Sequence, residues 1–545
     1  MANQARNTLA GVAMAGLMLP EAVAYAGIAG LAPGRALVAT VVAGLAYAVI
    51  GRSRFAVVSP TSSSAAILAA SLASLTAGHE TAATNGTVAA NATALTLLVG
   101  VLFMGLAAAR LGSLAGFVAR PVLRGFALGL ALTIIISQMP ALIGLPAPHG
   151  SVGAVAWALV SHREQWHAAT LACGLAALAL LLVLRRWPGV PGALIVLVLG
   201  VAGASLPGFA ALGIAQAGPA PLVLEAPVLP GDPAQWLRLV PLAAPLVLIL
   251  FAESWGTMRS LALARGDTLM ANRELAALGL ANAMAGLAQG MPVGAGFSAG
   301  SANAASGATS RAAGVIGALA LLALALWGGP LTSRLPQPVL AAVVIASLTH
   351  ALSPAPLLRP WQLGRDRWAA PVAALGVLTL GVLDGLLLAV GLSLAQLLYR
   401  LAHPSLSELG RMGESHDYVD RAAHDTAKAV PGLAIYRPNA PLFFANAETV
   451  LGLVARRAQG CGTRVVVLSL EESDDLDSTA AEAIGELHAA LLAHGGRLIL
   501  ARTHDRARAV LAASGLDELA RDATFSVADA VRLAQTGHAQ HAAQA

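Results

Sequence analysis

Two glutamates lie inside apolar runs, where a charge is costly. Glu21 stands in Pro20-Glu-Ala-Val-Ala-Tyr-Ala-Gly-Ile-Ala-Gly-Leu31, and Glu253 in Ile249-Leu-Phe-Ala-Glu-Ser-Trp-Gly-Thr257. An ionised side chain at mid-bilayer costs roughly 2.5 to 3.5 kcal/mol on insertion scales, so an acid in such a run is a functional candidate. The chemistry open to it is proton carriage, binding a proton on one side and releasing it on the other. Tyr25, one turn beyond Glu21, is a candidate for lining the same cavity. Thr257 follows Glu253 by four residues and shares its helix face, which makes Glu253 and Thr257 an alternative cation site.

The two acids are 232 positions apart, and two interrupted segments recur at nearly that spacing. These are Val57-Val-Ser-Pro-Thr-Ser-Ser-Ser-Ala-Ala-Ile67 and Val293-Gly-Ala-Gly-Phe-Ser-Ala-Gly-Ser-Ala-Asn303, with Pro60 and Gly296 separated by 236 positions. A half-helix starting near Thr61 and another near Ser298 would each present backbone N–H groups carrying about half a positive charge. Two such ends facing each other attract an anion. The hydroxyls of Ser59, Thr61, Ser62, Ser63, Ser298 and Ser301 can add donors without adding charge. The competing reading is that these small residues only let helices pack closely.

The elements that must position these groups are membrane spans. Of 545 residues, 57% are hydrophobic and 11% charged, against about 25% charged in a soluble chain. About fourteen apolar segments run from Thr8 to Leu401, centred near Gly16, Ala43, Ala66, Val99, Leu130, Ala176, Leu197, Leu250, Leu280, Ala302, Ala320, Val343, Leu375 and Leu392. Seven per half is odd, so the second half is inverted relative to the first, and interrupted helices at matching positions mark a midplane binding site in secondary transporters. With the N-terminus inside, 16 arginines in the links fall inside and 4 outside, which predicts both termini in the cytoplasm. The run behind Thr8 reads as a first span rather than a cleaved leader.

Several function classes are excluded. The net charge of +5 comes from Arg at the ends of apolar runs, not from a basic patch interleaved with aromatics, so nucleic acid is not an expected partner. The two cysteines, Cys173 and Cys461, make neither a disulfide framework nor a thiolate site. No phosphate-binding loop, nucleophilic triad or metal-ligand spacing is present, so no enzyme activity, cofactor or resident metal is expected.

Beyond Leu401 the composition becomes that of a soluble chain. The expected division is a transport domain over 1–402, a linker over 403–430 and a small α/β domain over 431–545. In the last, Arg464 to Leu470 and Arg497 to Ala501 read as buried strands, and Ser478 to Leu491 and Asp505 to Ser514 as helices.

These motifs resemble the SulP family of anion permeases, which includes prestin and pendrin. Pro20 to Leu31 is similar to that family's first-span signature, and Asn272-Arg-Glu-Leu-Ala-Ala-Leu-Gly-Leu-Ala-Asn282 to its ninth-span signature; Phe297-Ser298 and Asn303 fit its broken tenth segment. The C-terminal stretch Val465 to Thr479 resembles a STAS domain, in whose soluble relatives a Ser at the position of Ser478 is phosphorylated. The competing role for Asp477 and Ser478 is to cap a helix.

The resemblance implies seven plus seven inverted spans divided into core and gate domains, a homodimer in a bacterial inner membrane, and an elevator-like step. It implies an anion site that includes Phe297. An acid at Glu21 is, in some bacterial members, linked with proton coupling. Ala299 stands where members commonly carry Arg, which leaves sulfate, bicarbonate and a C4-dicarboxylate open as substrates. The leading expectation is H⁺-coupled sulfate symport. The alternatives are Na⁺ coupling at Glu253 and Thr257 with bicarbonate, a nucleobase permease, and a membrane-anchored signalling protein acting through its C-terminal domain.

Overall fold

The computed structural model describes residues 2–542 except 77–84, 114–119, 147–150, 188–189, 219–225, 328–332, 355–357, 359–360, 363–366 and 462. Arg359 and Arg365, two of the arginines expected in cytoplasmic links, lie outside the described residues.

Fourteen apolar helices carry the fourteen centres. They are α1 (Ala2–Ile28), α2 (Pro33–Ile50), α3 (Ser62–Thr76), α4 (Asn85–Ala108), α5 (Arg120–Ile143), α6 (Ala168–Leu184) and α7 (Gly192–Ala204) in the first half. The second half holds α8 (Pro233–Leu263), α9 (Ala271–Leu287), α10 (Phe297–Ala305), α11 (Ala312–Trp327), α12 (Gln337–Leu348), α13 (Ala369–Leu380) and α14 (Val382–Ala402). Among the described residues, the helix Val152–Ser161 carries none of the fourteen centres, and its Trp157 is exposed.

The packing is itself repeated. α4 lies against α9 and α2 against α11; α1 lies against α11 and α4 against α8; α1 meets α10 and α3 meets α8; α5 packs on α13 and α6 on α12. Each pair is converted into its mate by exchanging the halves, as an inverted repeat requires. The contacts sort α1–α4 with α8–α11 as a core and α5–α7 with α12–α14 as a gate, joined where α1 meets α7 and α12 and where α3 meets α5.

Helix starts follow local chemistry. Asp232 caps α8 by accepting from the Ala234 N–H at 2.9 Å, with Pro233 at the first helical position. Glycines let the helices approach closely: a Cβ on Gly125 would stand 2.1 Å from the Ala370 carbonyl oxygen, and one on Gly129 2.7 Å from that of Ala374. The α5–α13 contact therefore has no room for a methyl group.

The two interrupted segments solve a problem that a bilayer imposes. Extended backbone there must satisfy its N–H and C=O groups within the protein. β1 (Val58–Ser59) and β2 (Gly294–Ala295) do so by pairing antiparallel, Val58 opposite Ala295 and Ser59 opposite Gly294. Remaining groups are taken by side chains. Ser254 Oγ accepts from the Ala295 N–H at 2.8 Å, and Asn282 bonds both the N–H and the C=O of Val293, at 2.9 and 3.0 Å.

The second compact unit spans Leu394–Ala545. Its strands are β3 (Leu406–Met412), β4 (Tyr418–Asp420), β5 (Ala427–Lys428), β6 (Leu433–Pro438), β7 (Val465–Ser469) and β8 (Arg497–Ala501), in the order β4-β3-β6-β7-β8 with β5 also on β3. β6, β7 and β8 are parallel, and β3 joins β6 antiparallel. α15 (Ala447–Gly460), α16 (Ser478–Ala493), α17 (Asp505–Ala513) and α18 (Asp517–Asp522) cover Val466 and Leu468 on one face; α19 (Val527–Ala542) covers Val465 and Val467 on the other. This corrects one expectation. Residues 403–430 are not a linker, because β3, β4 and β5 belong to the sheet. Their runs are short and mixed, with Leu406 and Leu409 packed on opposite faces of the sheet and Ser407, Glu408 and Arg411 among them, so they read as a polar connection.

Candidate functional site

The N-terminal ends of α3 and α10 meet beside the β1–β2 ladder. At α3, Thr61 and Ser64 form a reciprocal cap: Thr61 Oγ1 accepts from the Ser64 N–H at 3.1 Å, and Ser64 Oγ from the Thr61 N–H at 2.9 Å. Ala65 N–H already bonds the Thr61 carbonyl, so the first-turn N–H groups of Ser62 and Ser63 have no intrahelical acceptor. At α10 the cap is Gly296, which has no side chain to offer, and the first helical bond runs from Gly300 N–H to the Gly296 carbonyl. Ser298 and Ala299, in the first turn of α10, present two more such N–H groups. The two ends are close: a Cβ on Gly296 would lie 3.5 Å from Thr61 Cγ2.

Both acids face this region. Ser347 of α12 lies beside the Glu21 carboxyl, and Ser63 of α3 beside that of Glu253. The Tyr25 hydroxyl lies within hydrogen-bonding range of Ser62 and Ser347 and within electrostatic reach of both carboxyls. One oxygen of each acid, Glu21 Oε1 and Glu253 Oε2, is buried without a hydrogen-bond partner. Among the described residues no lysine or arginine forms an ion pair with either acid.

The sequence-predicted residues divide as follows. Glu21, Tyr25, Ser62, Ser63 and Glu253 converge around the start of α3. Thr61 Oγ1 accepts in the cap, which positions the helix end and leaves the hydroxyl hydrogen available as a donor. Ser59 is buried in β1 with its backbone in the ladder. Ser298 Oγ donates to the Ser347 carbonyl at 2.9 Å, while Phe297 at the first turn of α10 is exposed. Thr257 is buried against α10, where a Cβ on Gly300 would stand 3.2 Å from its methyl group. Ser301 lies one turn into α10. Ser478, in the other unit, is exposed at the start of α16; there Asp477 supplies the cap, accepting from Ala480 N–H at 2.8 Å and also from Phe444 N–H at 2.7 Å.

Sequence reasoning missed Ser347, Ser254 and the role of Asn282. Ser347 carries no signal beyond being a hydroxyl near the end of an otherwise apolar helix. Asn282 had one, a lone amide in an apolar run, which in a membrane needs a backbone partner.

A model of the sulfate permease family matches residues 5–366. The chain belongs to that family. A STAS domain model matches residues 426–530, within the second unit. A probable sulfate transporter of Mycobacterium tuberculosis is 33% identical over 532 residues, covering 95% of this sulfate permease family member and 93% of the relative. Human solute carrier family 26 member 6 is 29% identical, covering 84% and 63%. Among solved structures, the murine family 26 member A9 anion transporter in its inward-facing state superposes with a TM-score of 0.86 at 21% identity, over 97% of this chain and 91% of that one. The transmembrane domain of a cyanobacterial bicarbonate transporter, BicA, gives 0.60 at 23% identity over 71% and 98%. The chain is an α-helical membrane protein of seven plus seven inverted spans with a small α/β STAS domain, a fold that the A9 transporter shares over nearly its whole length and BicA over its transmembrane domain. The family is one of transporters, not enzymes.

Proposed function

We propose that this permease carries a small anion, sulfate foremost, in symport with a proton. The observation that carries the reading is the meeting of two half-helix N-termini with two intramembrane acids. Four first-turn N–H groups and the hydroxyls of Ser62 and Ser63 supply donors to an oxyanion without a fixed cation, which suits a site where Ala299 replaces the arginine common in relatives. Glu21 carries the proton. An anion and an ionised carboxylate in the same low-dielectric space repel each other, and a proton on the carboxyl removes that repulsion. The coupling is reciprocal: a bound anion favours the proton as much as the proton favours the anion. Sulfate is put first because relatives aligned over nearly the whole chain are described as sulfate transporters.

In this reading the chain sits in a bacterial plasma membrane with both termini in the cytoplasm, functions as a homodimer, and uses Ser478 as a regulatory phosphorylation site.

The test of the anion site is Ser62→Pro in proteoliposomes. Proline is tolerated at the first helical position but has no N–H, so α3 stays intact while a donor and a hydroxyl are lost. The KM for radiolabelled sulfate rises by about tenfold with little change in maximal rate. An unchanged KM places the anion elsewhere. Uptake of labelled bicarbonate or a C4-dicarboxylate in the absence of any sulfate uptake reassigns the substrate, and uptake that requires sodium and is lost in Thr257→Ala moves the coupling to Glu253.

A further inference from the structure

Ser298 stands where the anion site and the boundary between core and gate meet. It lies in the first turn of α10, in the core, and its Oγ donates to the backbone carbonyl of Ser347, in the last turn of α12 of the gate, at 2.9 Å. The direction of this bond is fixed: a carbonyl only accepts, and a serine hydroxyl carries one hydrogen.

The same residue belongs to the open end of α10. Gly296 gives that end no side-chain cap, and the first helical bond runs from the Gly300 N–H to the Gly296 carbonyl, which leaves the Ser298 and Ala299 N–H groups for an oxyanion. Of the first three residues, Phe297, Ser298 and Ala299, Ser298 alone has a side-chain donor. An oxyanion seated on those N–H groups comes within reach of its hydroxyl.

One hydrogen then has two claimants. With the site empty it goes to the gate, as the structure shows. A hydrogen bond to an ionised acceptor is roughly twice as strong as one to a neutral acceptor, so a bound oxyanion wins the competition. The change is a single rotation about χ1 between staggered wells.

We infer that the Ser298 hydroxyl is an anion-operated latch: in the empty carrier it fastens the core to the gate at the Ser347 carbonyl, and a bound oxyanion draws it away and frees the core to move. The inference rests on the reading that seats the anion between the starts of α3 and α10. It adds a kinetic consequence that anion binding alone does not have. The latch holds the empty core in the conformation of this structure and slows its departure, whereas the loaded core leaves unlatched. Exchange of sulfate for sulfate uses loaded crossings only, while net flux also needs the empty core to cross.

The experiment compares labelled sulfate/sulfate exchange with net sulfate flux, in both directions, for the full chain in proteoliposomes at saturating sulfate, with equal pH on the two sides and the membrane potential clamped. Exchange in the native protein outruns net flux by about three- to tenfold in at least one direction, the worth of one hydrogen bond. Ser298→Ala brings the ratio close to one by speeding the empty crossing, and Ser298→Thr, which keeps the hydroxyl, preserves it. A native ratio of one in both directions overturns the latch. So does a native-like ratio in Ser298→Ala, including one in which exchange and net flux fall together, the mark of a serine that only binds or only packs. Should the alanine variant fail to insert, Ser298→Cys, whose thiol is a weak donor, makes the same comparison. Failure of the underlying reading looks different: an unchanged KM in Ser62→Pro together with a lost ratio in Ser298→Ala leaves the bond to the gate standing and overturns the seat of the anion.

Discussion

Arg35 and Arg273 hold the third position of α2 and α9, and each donates a hydrogen bond at the far end of the other helix. Arg35 reaches Gln289, two residues past the end of α9, and also the Ala89 carbonyl at 3.2 Å and Thr93 Oγ1 at 3.3 Å. Arg273 Nε donates to the carbonyl of Ile50, the last residue of α2, at 2.9 Å. The two helices run antiparallel, so the inverted repeat places each arginine at its partner's negative dipole end. Replacing either by Ala removes a charge and at least one bond to a helix end. We expect a loss of about 1 to 2 kcal/mol each, read as a lower melting temperature in detergent. Equal stability of Arg273→Ala and the native protein contradicts the capping role.

Glu274, next to Arg273, is fully buried and fully bonded. It accepts from the Tyr47 hydroxyl at 2.6 Å and from the Arg52 N–H at 3.0 Å, tying α9 to the end of α2. Glu274→Ala strands both donors and should cost about 1 to 3 kcal/mol, whereas Glu274→Gln keeps an acceptor and should cost less. Thermal denaturation of the two variants in one detergent checks the order, and a glutamine variant less stable than the alanine one contradicts it.

Gly125 and Gly27 predict opposite outcomes for the same substitution. A Cβ on Gly125 collides with the Ala370 backbone, whereas one on Gly27 meets no atom within 4 Å. Gly125→Ala must therefore push α5 from α13 inside the gate, costing roughly 1 to 3 kcal/mol and lowering transport. Gly27→Ala should leave both unchanged. Uptake and melting temperature measured side by side separate them.

In the second unit, the Ser407 hydroxyl donates to Asp420 Oδ2 at 2.5 Å and the Ala422 N–H to Oδ1 at 2.9 Å. These bonds, the Ser407 one foremost, hold the Asp420 carboxyl below its usual value of 3.8. A depressed folded value means stability that is fully present above the unfolded value and lost as pH falls through the folded one. Ser407→Ala should therefore destabilise the unit at neutral pH and flatten its acid limb below about pH 4. Identical acid limbs in the two proteins would sink the assignment.

The residues that gather around the start of α3 were largely readable because a bilayer makes each polar residue conspicuous. Glu21 and Glu253 stand out against their surroundings, and Pro60 and Gly296 mark helix starts by backbone chemistry alone. The ladder between Ser59 and Gly294 was not readable, since two-residue strands 235 positions apart leave no periodicity. Ser347 was hidden for a different reason: its importance comes from which helix end it meets, and that is decided by tertiary packing. β3 escaped notice because Glu408, Gly410 and Arg411 dilute its apolar pattern.

The measurement that bears most directly on the account is sulfate accumulation in proteoliposomes under an imposed inward proton gradient, for the native protein and Glu21→Gln. The account predicts accumulation above equilibrium that follows the gradient, collapses with a protonophore and is absent in Glu21→Gln. Accumulation that ignores the gradient, or that persists in Glu21→Gln, contradicts proton-coupled symport through this carboxyl.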